Sequence, residues 1–361
     1  MFPLARISKF ALSTSTLIVG SALAFSAHAH ELLDAAKKEA KVILYSTTDS
    51  KAADPLIAAF ETKYPGLKVE FHDMNSTEIY NRYISEQASG SNSADLVWSS
   101  SMDSAMKLAT SYAAEYASPE IPNLPEWAVW KDSAYGTTYE PTVFIYNTRL
   151  IKEDEVPKTH AALAKLVDEH KDRFRNKVTT YDIEKSAVGY MLAAEDSKVA
   201  GDAYWDFIRG VGSANLVLQS STGTMMERVS SGENLIGYNI LGSYAETRAA
   251  NDKSIGVAYP EDYALVLSRI AFVSKRAQNP NAARIFLDFM LSEEGQNVLA
   301  NQSQLGSIRN DVEGNNDIKG ITERLAGVKL TPIPVNESLL AFLEQKERLK
   351  FIREWRKAAG K

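Results

Sequence analysis

Three times along this chain of 361 residues, a short apolar run ends in a cluster of hydroxyl side chains and then passes into a helical pattern. The three segments begin at Lys41 (KVILYSTTDS), Ala94 (ADLVWSSSMDS) and Leu216 (LVLQSSTGTMME). Strand, polar turn and helix in succession favour right-handed βαβ units and a mostly parallel sheet, whose ligands lie beyond the carboxyl ends of the strands. Helix N-termini at such ends attract anions. The sequence therefore predicts an α/β fold that binds a small polar molecule.

The first 29 residues have the layout of a secretory signal peptide. Two basic residues precede an apolar stretch from residue 10 to residue 25, and small residues flank His28. We expect cleavage near Ala29 and a mature chain that begins near His30. The alternative is an N-terminal membrane anchor, although this apolar stretch is short and interrupted by Ser and Thr.

Composition excludes several classes of function. The chain has no cysteine, so disulfides, thiolate metal sites and cysteine nucleophiles are excluded. The net charge is −6, and it becomes −8 when the two basic residues of the signal peptide are removed, which argues against nucleic acid or an anionic membrane as a partner. A mature length of about 330 residues suggests two domains.

Two β-rich stretches without a helical period run from residue 137 to 146 and from residue 264 to 273. We interpret them as the first crossing from one lobe to the other and as the return. The predicted organisation is a signal peptide over 1–29, a first lobe over 30–142 and 263–310, and a second lobe over 143–262 and 311–361. The alternative is one large doubly wound domain.

Four segments carry a resemblance to a known family: YSTTDSKAADPLIAAFETKYPG, ADLVWSS, FIYNTRLIKEDEVPKTHAAL and NPNAARIFLDFMLSEEGQNVLA. Together they resemble the periplasmic solute-binding proteins of ABC importers, in the branch of ferric-iron, thiamine and phosphorylated-sugar binders. The resemblance spans nearly the whole mature chain. It implies a type II periplasmic-binding-protein fold, in which two lobes, each a mostly parallel sheet flanked by helices, are joined by two crossing strands. It also implies a periplasmic monomer that passes a solute from its cleft to permease subunits in the inner membrane.

Ferric-iron binders are the first candidates within that branch. Iron(III) prefers negatively charged oxygen donors. The His, the Glu and the Tyr pair that bind iron in the family correspond here to Asp49, Ser100 and Asn239-Ile240, so none of these ligands is retained. We therefore predict neither a metal site nor a cofactor, and ferric binding stays an alternative.

In contrast, the positions at which ferric binders hold an accompanying anion are retained in the second lobe. The resemblance places a helix N-terminus at Ser186 and Ala187, and a polar residue at Thr222. Ser221, Thr222 and Gly223 also precede a helix, which gives a second group of backbone N–H donors. The alternative role of both serines is helix capping.

The remaining candidates lie in the first lobe, at the crossing and at one strand end. The hydroxyl candidates of the first lobe are Thr47, Thr48, Ser99 and Ser100; their alternative role is again capping. Arg269 interrupts the apolar run LVLSRIAFV, where it either grips a carboxylate or phosphate or pairs with an acid such as Glu140. Tyr238 and Asn239 follow a predicted strand, where the ring either covers a sugar or fills the core.

The predicted function is capture of a small polar organic solute, phosphorylated or otherwise anionic, for an ABC transporter. The chain lacks GxSxG, HExxH, Walker and GxGxxG motifs, so we expect no enzyme. A periplasmic hydrolase with two carboxylates in the cleft is one alternative. A ligand sensor that acts through a sensor kinase is another.

Overall fold

The computed structural model describes residues 30–312 and 316–361, so the predicted signal peptide lies outside the described residues. The strands are β1 (Lys41–Ser46), β2 (Lys68–Asp73), β3 (Leu96–Ser99), β4 (Val129–Trp130), β5 (Ala134–Gly136), β6 (Glu140–Asn147), β7 (Val178–Tyr181), β8 (Val217–Gln219), β9 (Ile236–Leu241), β10 (Ile255–Ala258), β11 (Ala264–Leu267), β12 (Ile270–Val273) and β13 (Leu330–Pro332). They form two separate sheets.

Helices flank both sheets. The α-helices are α1 (30–39), α2 (Ser50–Lys63), α3 (Ser76–Ser89), α4 (Met102–Tyr112), α5 (His160–Glu169), α6 (Lys171–Phe174), α7 (Ala187–Ala200), α8 (Asp202–Gly212), α9 (Thr222–Ser231), α10 (Gly242–Asn251), α11 (Pro280–Leu291), α12 (Glu293–Asn301), α13 (Ile318–Arg324) and α14 (Gln345–Ala358). Short 3₁₀ helices cover Ile121–Asn123, Glu126–Ala128, Glu153–Glu155 and Glu337–Leu340. None of the helices described is long and apolar enough to span a bilayer.

The first sheet has the order β2-β1-β3-β12-β5-β4. Strands β1, β2 and β3 are parallel, whereas β12 is antiparallel to β3 and β5. Ser46 lies opposite Trp98, so the hydroxyl clusters that follow β1 and β3 emerge side by side at one edge. This is the arrangement that the sequence predicts for the first lobe.

The second sheet has the order β13-β11-β6-β9-β7-β8, and β10 pairs with β6. Strand β7 is parallel to β8 and β9, so the segments that lead into α7, α9 and α10 also leave from one edge of the sheet. The fold class, an α/β protein with two sheets flanked by helices, is therefore as predicted. Both sheets are mixed rather than mostly parallel, because the strands next to the crossings, β5, β6, β11 and β12, add antiparallel pairings.

The chain crosses between the sheets within the two predicted stretches. Residues 137–139 connect β5 to β6, and residues 268–269 connect β11 to β12. The C-terminal segment contacts both lobes as well: Val335 N–H donates to the carbonyl of Trp127 at 2.8 Å, before α14 packs on the second lobe through Phe351 and Trp355. Ile321 of α13 packs into the first lobe's core. The lobe boundaries themselves stay a prediction.

Local sequence explains why several of these elements begin and end where they do. Helix α3 begins after Asn75, whose side chain accepts a hydrogen bond from the Glu78 N–H at 2.9 Å, and it ends at Gly90, which has φ 71°. Helix α2 buries Leu56 and Phe60 on one face against the first lobe's core. These helices therefore begin at defined positions directly after β1 and β2.

Candidate ligand-binding site

Arg269 lies in the return crossing and its side chain is completely buried. Its Nε donates to Glu140 Oε1 at 2.8 Å and its Nη2 donates to Glu140 Oε2 at 3.0 Å. Its Nη1 donates to Thr48 Oγ1 at 3.1 Å, and the guanidinium carbon lies 5.2 Å from the ring centre of Tyr244. Of the two roles predicted for Arg269, the structure contains the pair with Glu140.

The carboxylate of Glu140 is equally buried and has two further donors. Thr138 Oγ donates to Oε1 at 2.8 Å, and Ser243 Oγ, from the first turn of α10, donates to Oε2 at 2.5 Å. Burial by itself would lower the pKa of Arg269, but the negative charge of Glu140 outweighs it and raises that pKa. Arg269 therefore stays charged inside the hinge.

The first-lobe hydroxyls bond mainly to one another. Thr47 Oγ donates to Ser100 Oγ at 3.0 Å and accepts from the Ser100 N–H at 2.8 Å. Ser99 Oγ accepts from the Ser101 N–H at 3.2 Å. The structure thus brings Thr47, Ser99 and Ser100 together at one edge of the sheet, with Thr48 linked to Arg269, and uses these hydroxyls to brace two neighbouring turns.

The second-lobe serines act as helix caps. Ser186 Oγ accepts from the Gly189 N–H at 3.2 Å, so Ala187 is the first residue of α7, and Ser221 Oγ accepts from the Thr224 N–H at 3.2 Å. Ser186 is buried, whereas Ser221 and Gly223 are exposed. The N-terminus of α9 is therefore the more accessible of the two predicted anion sites.

Tyr181, at the end of β7, connects these two helix starts. Its hydroxyl hydrogen-bonds to the hydroxyl of Thr222, and a Cβ on Gly189 would lie 2.2 Å from the Tyr181 Cβ. Only glycine allows α7 to pack this closely on the ring. Burial raises the pKa of Tyr181, so it acts as a neutral hydrogen-bonding group.

Tyr238 and Asn239 lie in the interior of the second lobe. The Tyr238 ring is buried and packs edge-on against Phe207, with 4.9 Å between ring centres. Asn239 has φ 60°, and its Nδ2 donates to Asp196 Oδ2 of α7 at 2.7 Å. Burial raises the pKa of Asp196 to about 6. Tyr238 therefore fills the core, which is the second of the two roles predicted for it, and Asn239 lies against α7.

A cavity of about 570 Å³ opens between the lobes beside Tyr244, whose ring contacts Arg269. Its first-lobe wall consists of Asp49, Lys51, Ala52, Gln302, Ser303 and Gln304, and its second-lobe wall of Met226, Tyr244, Thr247, Arg248, Asn251 and Asp252. The backbone N–H of Asp49 donates to the Tyr244 hydroxyl at 3.3 Å, so the two lobes touch at the edge of the cavity. Ligand sites in proteins usually have volumes of about 300–1,000 Å³.

Most of these cavity residues carry no signal in the sequence. Asp49 stands out only as the counterpart of an iron ligand, and no residue of α10 is among the predicted ligand-binding residues. Within the described parts of the chain, no group of three or more His, Cys, Asp or Glu side chains lies close enough together to hold a metal ion.

Solved structures with similar folds are substrate-binding proteins. A substrate-binding protein of an ABC transporter from Agrobacterium tumefaciens is 34% identical, with a TM-score of 0.83 over 88% of this chain and 94% of that one. AfuA from Actinobacillus pleuropneumoniae, solved with fructose-6-phosphate, is 18% identical (TM-score 0.72; 89% and 98% covered). Iron-bound HitA from Pseudomonas aeruginosa is 21% identical (TM-score 0.69; 88% and 99% covered). The last two show the fold alone.

The sequence also matches the family model described as bacterial extracellular solute-binding protein, over residues 55–323. No curated protein sequence matches it. The match covers well over half of the chain and includes both crossings and the second-lobe wall of the cavity. The chain therefore belongs to the bacterial extracellular solute-binding proteins and is the substrate-binding protein of an ABC transporter.

Proposed function

We propose that this protein captures a small anionic organic solute, preferably a phosphorylated one, in the cleft between its lobes. The observation that carries the proposal is the N-terminus of α9, where Ser221 and Gly223 are exposed and Met226, one turn further, lines the interlobe cavity. The first N–H groups of a helix have no partner within the helix and favour negatively charged oxygens. A phosphate or carboxylate at the cavity fits this position.

Ligand chemistry supports an organic anion over ferric iron. Similar folds hold fructose-6-phosphate in AfuA and iron in HitA, so the fold alone does not choose between the two ligand classes. The turns after β1 and β3 offer the neutral hydroxyls of Thr47 and Ser100, which already bond to each other. Iron(III) needs several charged oxygen donors at one point, and these hydroxyls are not such donors.

The protein acts in the periplasm by reversible binding and has no catalytic role. Closure of the lobes around the solute, of which the Asp49–Tyr244 contact is one element, forms the surface that the permease recognises. Protein isolated from a periplasmic extract should begin near His30 when its N-terminus is sequenced.

A thermal-shift screen tests the ligand class. Sugar phosphates, phosphoglycerates, phosphonates, carboxylates and ferric complexes are compared at equal concentration. A ligand at 100 times its Kd adds about 2.7 kcal/mol to the free energy of unfolding, so a true solute raises the Tm clearly. We expect phosphorylated compounds to do this. A shift with ferric citrate or ferric phosphate alone would refute the proposal, as would sustained turnover of phosphate esters or glycosides.

A pair of matched variants then tests the position of the anion. Ser221→Ala removes the cap of α9, and Ser292→Ala removes the cap of α12, where the Ser292 Oγ accepts from the Gly295 N–H at the same 3.2 Å. Each should reduce stability by about 1 kcal/mol. Only Ser221→Ala should also weaken binding of the phosphorylated solute. Equal affinity in both variants would place the anion elsewhere.

A further inference from the structure

The first-lobe wall of the cavity carries two opposite charges, on Asp49 and Lys51, that the described residues leave unpaired. The Asp49 side chain makes no cap bond to α2. Asp49 bonds through its backbone: its N–H donates to the Tyr244 hydroxyl, and its carbonyl accepts from the N–H groups of Ala52 and Ala53. Among the residues that the structure describes, neither the Asp49 carboxylate nor the Lys51 ammonium group has a hydrogen-bond or ion-pair partner. These two side chains lie two residues apart at the start of the same helix.

On the opposite wall of the cavity, the side chains of Arg248 and Thr247 already have hydrogen-bond partners. Arg248 Nη1 donates to Glu227 at 2.7 Å and its Nε donates to Asp252 at 3.1 Å. Thr247 Oγ donates to the carbonyl of Ser243 at 2.9 Å. This wall therefore supplies shape and balanced charge, and the free bonding capacity of the cavity lies on the first lobe.

The environment of Asp49 makes a positively charged partner favourable. Its side chain is exposed to the cavity and has protein atoms of both lobes nearby. These atoms displace part of the water and raise the pKa of Asp49, whereas the positive charge of Arg269 lowers it. The neighbouring protein atoms remove part of the water around this exposed carboxylate without supplying a partner, which disfavours its charged form. An ammonium group in the cavity would restore a charge-assisted hydrogen bond. Ser303, whose buried Oγ has no partner, adds one more free polar group to the same wall.

We propose, on the basis of the function proposed above, that the solute is zwitterionic: an organic phosphate or phosphonate that also carries an ammonium group. Asp49 binds the ammonium group and Lys51 binds a negatively charged oxygen. A solute that lies between these two residues and α9 contacts both lobes, so its binding favours the closed form. A purely anionic solute would leave Asp49 unpaired and facing a negative charge.

Isothermal titration calorimetry with matched compounds tests this inference. Each pair differs by an amino group in place of a hydroxyl: O-phosphoserine and 3-phosphoglycerate, glucosamine 6-phosphate and glucose 6-phosphate, and 2-aminoethylphosphonate and 2-hydroxyethylphosphonate. In at least one pair, the amino compound should bind at least about tenfold more tightly, as one charge-assisted hydrogen bond provides. Asp49→Asn should abolish that preference, and Lys51→Met should weaken both members of the pair.

The control is Asp54→Asn, which removes the same charge from an exposed position of the same helix and should leave affinities unchanged. Equal binding of amino and hydroxyl compounds, or a preference that survives Asp49→Asn, would overturn the inference while leaving the proposed anionic ligand class intact. Binding of none of the six compounds would overturn both. The comparison of wild-type affinities needs no variant, so a folding defect in Asp49→Asn does not prevent the test.

Discussion

Replacing Arg269 with methionine should reduce the free energy of unfolding by about 3–5 kcal/mol. Both Arg269 and Glu140 have side chains with 0% exposure, and they share hydrogen bonds of 2.8 and 3.0 Å. After the substitution, the Glu140 carboxylate keeps only the neutral donors Thr138 and Ser243. A buried carboxylate without a cation is the main source of the predicted loss.

A double-mutant cycle separates this effect from simple loss of packing. Arg269→Met combined with Glu140→Leu removes both charges and leaves apolar side chains in the hinge. The double variant should be more stable than Arg269→Met alone, with a coupling energy of at least about 2 kcal/mol. Equilibrium urea unfolding followed by circular dichroism measures each variant, and the m-value checks that the same surface is exposed.

An exposed arginine provides the matched control. Arg209 pairs with Asp206 at 2.5 Å, with side chains that are 58% and 75% exposed. Arg209→Met should change the free energy of unfolding by no more than about 1 kcal/mol, because water and salt screen such pairs. An equally small change in the unfolding free energy for Arg269→Met would show that the hinge pair does not stabilise the fold. Additive effects of Arg269→Met and Glu140→Leu would show the same.

Three further substitutions test local features. Burial raises the pKa of Asp103 to about 6, so the native state binds this proton more tightly than the unfolded state does. The protonated carboxyl therefore stabilises the fold below about pH 4, and this contribution is lost between about pH 4 and 6. In urea titrations, Asp103→Asn should reduce the fall in unfolding free energy over that range by roughly 2–3 kcal/mol. Gly295→Ala should lower the Tm, because its Cβ would lie 1.9 Å from the Phe289 carbonyl oxygen. Ser186→Ala should cost about 1 kcal/mol in the same unfolding assay.

Local patterns were sufficient to predict these strands and helices and the α/β class. The segments that begin at Lys41, Ala94 and Leu216 contain β1, β3 and β8, followed by α2, α4 and α9. Apolar runs, hydroxyl turns and helical periods lie within 10 to 20 residues of one another, so one stretch of chain contains the whole signal. The resemblance to solute-binding proteins then supplied the lobe arrangement, which no local pattern contains.

The sequence predicted two alternative roles for Arg269, an ion pair or a ligand contact, and could not decide between them. A charge inside the run LVLSRIAFV must be paired if it is buried, and that much follows from the sequence. Glu140 is 129 residues away, and only the neighbouring positions of the two crossings bring it to Arg269. In the structure, Glu140 and Thr48 take three of the five N–H donors of the guanidinium, and the side chain is completely buried, so the pair with Glu140 is the role that the structure contains.

The cavity could not be predicted because its walls meet only in three dimensions. The side of α10 that carries Thr247 and Asn251 faces the first lobe because of how the lobes are oriented, and Gln302 to Gln304 reach the same cavity from the end of α12. The sequence of α10 alternates polar and small residues, so its pattern does not reveal which side faces a ligand. Orientation between lobes is set by the hinge and not by either segment.

The difference between Thr47 and Asp49 shows what a hydroxyl-rich strand end contributes. Both follow β1, but Thr47 both donates to and accepts from Ser100, whereas the Asp49 carboxylate has no partner in the part of the chain that the structure describes. A hydrogen-bonding group that already has its partner gains little from a ligand, since one bond merely replaces another; an unpaired charge gains the full interaction. The hydroxyls therefore fix the turns, and the chemistry that distinguishes one solute from another belongs to the unpaired charges that those turns present to the cavity.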